Sequence, residues 1–276
     1  MPWRRRPTDT FNGKTVLLTG AGGGLGRAMA LVLADEKAHL ALVDIDSDAV
    51  GETLSACRAR GAGAAVYHCD MGLKADIDSM HAQVSADLGR VDMLINNAGT
   101  VVGKYVHQYD YDDLKQTMLV NYVGGAYLTR LVLPTMMSRN EGHIVNMASV
   151  IGLVAMPRMG EYVASKFAIV GFTETIRMEL KKSGYTGIKT LCVCTTGVDT
   201  GLFPGYRAPR LTPLLKPELV AREALKAAKN GKSHLEIPLV AKMIPAIKLL
   251  PVALQDAILT KTGFTSSMDG FKASDD

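Results

Sequence analysis

The sequence predicts an α/β fold built on a single doubly wound parallel sheet, and three observations predict it. Short apolar runs rich in Val, Ile and Leu, without clear alternation, read as strands covered on both faces. Longer segments of helical length and spacing separate them. A glycine-rich turn, TGAGGGLGRA, joins the first run to the first helical segment. Strand–helix alternation implies parallel pairing with right-handed crossovers, and so helices on both faces.

Taken in order, KTVLLTG (14–20) is the first strand and leads through the glycine-rich turn into LGRAMALVLADE (25–36). LALVDID (40–46), AAVYHCD (64–70) and VDMLINNAG (91–99) are the second to fourth strands. DDLKQTMLVNYVGGAYLTRLVLPTMM (112–137) reads as one long helix, followed by the strand GHIVNMASV (142–150). The next helix, EYVASKFAIVGFTETIRMELKKSG (161–184), places two lysines in its last turn before a glycine stop, a favourable C-terminus. IKTLCVCTT (188–196) is the sixth strand. A shorter seventh, HLEIPLV (234–240), contains Pro238, which lacks a ladder donor and so points to the sheet edge.

The chain has 276 residues, 47% hydrophobic and 21% charged, enough for one sizeable core and best read as one domain. That domain spans 12–240, between a basic extension (1–11) and an apolar C-terminal extension (241–276). The net charge of +4 is a mild excess, part of it Arg4, Arg5 and Arg6 beside Trp3. No such cluster recurs in the body of the chain, which argues against a nucleic-acid reader. The triplet itself is either a solvated terminus or a weak anchor to anionic lipid. Cys57, Cys69, Cys192 and Cys194 have the spacing of neither a disulfide framework nor a zinc site, so no metal is expected and the compartment is read as reducing. No apolar stretch precedes Phe11, and no run approaches the roughly 20 apolar residues of a membrane span. The expected location is cytoplasmic, with peripheral membrane association as the alternative.

Chemistry concentrates at two places. In the first turn, Gly20, Gly24 and Gly26 follow the spacing G-x-x-x-G-x-G, with Gly22, Gly23 and Leu25 completing it. Lacking Cβ, such glycines permit a tight turn and close approach to a pyrophosphate at a helix N-terminus. Asp44, 18 residues after Gly26, stands where an acid would bind the adenosine ribose, with Ile45 beside it. A carboxylate there accepts from a diol and repels a 2′-phosphate, which argues for NAD over NADP. The alternative is that Asp44 caps the next helix. Asp70, with Met71, either meets the adenine amino group or serves only as a turn residue. The second place gathers polar residues near one edge of the sheet. Ser149 lies close to the C-terminal end of the fifth strand, and Asn96, Ala98 and Gly99 belong to NNAG at the end of the fourth. Asn121 sits inside a helix, an unfavourable place for a free polar side chain. Tyr162 and Lys166, four apart, share one helix face.

With TGAGGGLG, Asp44, NNAG, Asn121, Ser149 and Y-V-A-S-K in this order, the sequence closely resembles the short-chain dehydrogenase/reductase family over roughly residues 12–200. The resemblance implies a Rossmann-type sheet of about seven strands in the order 3-2-1-4-5-6-7, a bound NAD, and a homodimer or homotetramer built on the helices carrying Asn121 and Tyr162. It implies Tyr162 as general acid/base, its phenol lowered by Lys166 and by the positive nicotinamide. Ser149 would hydrogen-bond the reacting oxygen, Lys166 would also hold the nicotinamide ribose, and Asn121 would help hold a water relay. Where the family has P-G-x-V-x-T after the sixth strand, this chain has TTGVDT. Thr195 and Thr196 replace Pro-Gly, while Val198 and Thr200 match, Val198 offering its backbone to the nicotinamide carboxamide. GIKTLCVCTTGVDTGLF and PRLTPLLKPE look most like the retinol and hydroxysteroid dehydrogenase branch, implying a bulky, apolar alcohol or its carbonyl under a cover at 201–216. The C-terminal IPLVAKMIPAIKLLPVALQDAIL packs over the cleft or a partner subunit, or lies at a membrane interface. A non-catalytic dinucleotide-binding sensor is the competing reading, since fold alone does not fix function.

Overall fold

The computed structural model describes residues 10–210 and 212–272, so the Trp3–Arg6 cluster and most of the basic extension lie outside the described residues. Its seven strands are β1 (Thr15–Thr19), β2 (His39–Asp44), β3 (Ala64–His68), β4 (Met93–Asn96), β5 (Gly142–Met147), β6 (Ile188–Thr195) and β7 (His234–Ile237). All pair in parallel in the order β3-β2-β1-β4-β5-β6-β7, as expected, with β7 at the edge immediately before Pro238. The helices between them are α1 (Gly24–Asp35), α2 (Ser47–Ala59), α3 (Lys74–Leu88), α4 (Tyr111–Met118), α5 (Gly124–Arg139), α6 (Gly160–Lys182) and α7 (Pro217–Lys229). Two short helices follow, α8 (Ile244–Ile247) and α9 (Val252–Lys261).

Side chains alternate across the pleat, and both sets are buried. Val16 and Leu18 of β1 join Leu40, Leu42, Met93 and Ile95 under α1, α2 and α7. Leu17 faces the other way, with Ala41, Val43 and Leu94, against α3, α5 and α6. Apolar residues on both faces explain why the runs lacked alternation. Local signals set the helix ends. The Asp46 carboxylate caps α2, accepting from the Asp48 and Ala49 amides at 3.1 and 3.0 Å. Asp110 and Asp113 form a reciprocal capping box on α4. Gly184, with φ of 82°, follows α6 as the expected stop.

One element differs from its sequence reading. The single long helix expected over 112–137 is broken by a π-helical turn at Leu119–Val123, between α4 and α5. Hydrophobic spacing does not register one extra residue in a turn. Its cause is polar: Asn121 lies in this turn and bonds both to the Thr100 backbone and to Ser165 of α6.

Strand order reverses between β1 and β4, whose connections leave on opposite faces of the sheet. Open α/β sheets bind ligands at this point, beyond the carboxyl ends of the strands.

Candidate active site

A cleft of about 590 Å³ opens there. Its first wall is the glycine-rich turn, which exists because of two backbone constraints. Gly20 has φ of 66°, and a Cβ on Gly26 would lie 1.9 Å from the Gly20 carbonyl oxygen. Among the described residues no side chain caps α1, which leaves its first amides available beside the turn. Gly20, Gly22, Gly23, Gly24, Leu25 and Gly26 all line the cleft.

The adenosine end forms around Asp44. Its carboxylate accepts from the Gly22 amide at 2.8 Å and from the Asp46 amide at 3.0 Å. Asp46, not Asp44, caps α2, which removes the capping alternative. Ile45, Asp70 and Met71 line the same end. Asp70 closes a turn by accepting from the Gly72 amide at 2.7 Å, and it also lines the cleft.

Asn96 is a correction. Its side chain donates to Asn146 and Thr129 at 2.7 and 3.0 Å, and it is absent from the cleft lining. Side chains alternate along β4, so Asn96 shares the face of Leu94 that packs against α5. Asn97, one residue on, lines the cleft with Ala98 and Gly99. It also latches β4 to β1, donating from Nδ2 to the Thr19 and Gly20 carbonyls at 3.1 Å each.

Beyond the turn, Ser149, Tyr162 and Lys166 line the same cleft. Ser149 follows β5, and its hydroxyl donates to the Thr195 carbonyl at 3.2 Å. Tyr162 is 7% exposed and Lys166 4%, with the ammonium 5.1 Å from the centre of the phenol ring. Lys166 Nζ donates to the Met147 carbonyl at 2.8 Å. Asn121 does not line this cleft. It stands behind the wall, pairing with the Thr100 amide and carbonyl at 2.7 and 2.9 Å and donating to Ser165 at 3.0 Å, so it ties the wall to α6.

Burial pushes the Tyr162 phenol above its ordinary value near 10, and the neighbouring Glu161 carboxylate adds to the rise. Burial pushes the Lys166 ammonium down to about 8, opposed by Cys192 and Cys194. Burial and Glu161 therefore act on the phenol in the direction opposite to the lowering expected from Lys166 and the nicotinamide, while Lys166 itself stays charged below about pH 8.

The far end is apolar. Met156, Met159, Phe203, Tyr206, Phe264 and Met268 line it, and Phe203 meets the Tyr162 ring edge to face at 5.6 Å. Phe264 and Met268 come from the C-terminal segment, which covers this end, while Leu239, Met243, Leu249, Val252 and Leu254 of that segment are exposed. The loop at 201–216 is held at its base by a bridge between Val198 and Leu215, and backbone bonds from Arg207 and Arg210 to Ser267 and Thr262 join it to the C-terminal segment. Val198, Thr200, Thr195 and Thr196 line the cleft, and the Thr196 hydroxyl is buried without a hydrogen-bond partner among the described residues. Sequence reasoning did not single out Asn97, Glu161 or the methionines. For Asn97 the period-two alternation of the fourth strand was an available signal; the others lie in loops and a helix end with no local pattern.

Comparison with known proteins gives the family and the fold. The family model described as short chain dehydrogenase matches residues 14–210. Mouse 17-beta-hydroxysteroid dehydrogenase 13 is 39% identical over 235 residues, 85% of this chain and 76% of the relative. Retinol dehydrogenase 10 of Xenopus tropicalis is 35% identical over 280 residues, covering 90% and 82%. A crystal structure of a short chain dehydrogenase/reductase from Burkholderia phymatum in complex with NAD has a TM-score of 0.79 and 28% identity, covering 93% of this chain and 98% of that one. All four cysteines are free and buried, and among the described residues no helix is long and apolar enough to cross a membrane.

Proposed function

The chain belongs to the short-chain dehydrogenase family, and from that premise we propose that it is an NAD-dependent oxidoreductase interconverting a bulky lipophilic alcohol and its carbonyl, with Tyr162 as general acid/base. One observation carries the reading: Ser149, Tyr162 and Lys166 share a single cleft with the glycine-rich turn and Asp44. The residues present suit a dinucleotide. The turn leaves room that a Cβ on Gly26 would fill, and the uncapped start of α1 offers amides to a pyrophosphate. Asp44 carries spare lone pairs for a ribose diol and a charge that repels a 2′-phosphate. When bound, NAD⁺ supplies the hydride acceptor and a positive ring.

The chain's own groups then handle the oxygen and its proton. The Ser149 hydroxyl orients the reacting oxygen. Tyr162 takes the proton from an alcohol or returns it to a carbonyl. Positive charge beside the phenol opposes the upward push of burial, and the Lys166 ammonium contributes to it below about pH 8. Asn121 acts by positioning, through Thr100 and Ser165. The methionine-rich apolar end favours a large, flexible apolar substrate, in line with the retinol and hydroxysteroid names of the relatives.

A homodimer or homotetramer built on the helices carrying Asn121 and Tyr162 is supported by the exposed Tyr111 and Leu114 of α4, Val123 of the π-helical turn, and Phe167 and Met178 of α6. Peripheral membrane contact is supported by the exposed apolar residues of the C-terminal segment beside Lys242 and Lys248. The experiment is a panel of retinoid, steroid and aryl alcohols with NAD⁺ and NADP⁺. Turnover of a lipophilic alcohol with NAD⁺ is expected. Cofactor binding without turnover on any substrate would instead favour a dinucleotide-binding sensor.

A further inference from the structure

Glu161 precedes Tyr162 in the first turn of α6 and is 1% exposed. A carboxylate this deep is rare without partners that justify its charge. One oxygen accepts from the Val102 and Gly103 amides at 2.9 and 3.2 Å, and the other accepts from the Tyr109 hydroxyl. All three donors belong to the segment between β4 and α4, which begins at the cleft wall. Arg158 holds the same turn, donating to the Gly103 carbonyl at 3.2 Å, and also donates to the Met268 carbonyl at 2.8 Å. A carboxylate and a guanidinium thus fix one short turn between the cofactor wall and the C-terminal cover.

We propose that Glu161 is a positioning residue for the reaction: it ties the segment after β4 to the catalytic helix and holds a negative charge one residue from the reacting phenol. The proposal rests on Tyr162 being the acid/base. The other ionisable groups about this pair are Lys166 over the phenol ring, Tyr109 and the Lys104–Asp113 ion pair from the β4–α4 segment and α4, Arg158 before α6, Tyr206 from the 201–216 loop, and Cys192 and Cys194 of β6 beside Lys166; Asp269 of the C-terminal segment meets Arg158 through its backbone carbonyl. Among these, Glu161 is the nearest negative charge along the chain, and it opposes the phenolate. Its charge adds to the upward push of burial on the phenol and so raises the pH at which Tyr162 begins to act as a base.

The test compares Glu161→Gln with wild type in two readouts. The first is amide exchange at Val102 and Gly103, which needs no turnover; exchange about tenfold faster or more is expected in the variant. The second is the pH profile of kcat/KM for alcohol oxidation, whose acid limb should move down by about one pH unit. A shift of that order is what one nearby charge exerts at an effective dielectric constant of about 20. Tyr109→Phe removes one donor and keeps the charge, so it should speed the same amides and leave the limb in place. A Glu161→Gln profile that coincides with wild type overturns the proposal. Should that variant not fold, unchanged exchange in Tyr109→Phe overturns it. Wild type that turns over no alcohol refutes the oxidoreductase reading instead, and the exchange readout then decides the tether alone.

Discussion

Replacing Lys166 by methionine should make the protein more stable at neutral pH while removing its turnover. The lysine is 4% exposed, and burial lowers its ammonium from 10.5 to about 8. Below pH 8 it is charged in both the folded and the unfolded chain, and the folded state carries the whole burden of burying that charge. At 1.36 kcal/mol for each tenfold change in proton affinity, the burden is about 3 kcal/mol. The hydrogen bond from Nζ to the Met147 carbonyl, at 2.8 Å, offsets about 1 kcal/mol. Methionine keeps the length and apolar stem of lysine, so Lys166→Met should gain about 2 kcal/mol at pH 7. As pH rises from 8 to 10.5 the wild-type lysine sheds its proton on folding and the advantage disappears. Urea unfolding of both proteins at pH 7 and pH 10 measures this directly. A variant less stable than wild type at pH 7, with a difference that does not change with pH, would refute the reasoning.

Other outcomes follow from the same geometry. Calorimetric titration should find NADH bound about 100-fold more tightly than NADPH, because the Asp44 carboxylate accepts from a ribose diol and repels an added 2′-phosphate. Asp44→Ser should remove most of that ratio, and tighter binding of NADPH by wild type would contradict the role given to Asp44. At the other end of the sheet, burial raises the Asp92 carboxyl, but Arg139 at 2.7 Å, the Thr15 amide, Arg90 and Lys14 outweigh it and hold the group below its ordinary range. The stability it contributes is complete above about pH 4 and is lost as pH falls through the folded value. Asp92→Asn should therefore cost about 3 kcal/mol at pH 7 and flatten the acid limb of stability, measured by denaturant unfolding from pH 7 to pH 3.

The strands were legible because a sheet covered on both faces demands unbroken apolar runs such as VLL and LALV, and each run lies in the strand read from it. The cofactor wall was legible because close backbone approach at Gly26 admits no side chain. What escaped depends on facing and on contacts distant in sequence. Asn96 and Asn97 look alike in NNAG, yet one residue of register sends the first to α5 and the second to the cleft. The π-turn at Asn121 answers to Thr100 and Ser165, partners 21 and 44 residues away. The charge state of Tyr162 depends on how deeply the fold encloses it, a quantity no spacing of residues records.

The central claim is that the Tyr162 hydroxyl carries the proton while the rest of the cleft binds and orients. Single-turnover oxidation of the best alcohol by wild type and Tyr162→Phe, with NADH affinity measured on both, tests it most directly. The account predicts a rate lower by roughly 10³-fold in the variant, with NADH affinity unchanged within about twofold. Hydride transfer at the wild-type rate in Tyr162→Phe would contradict it.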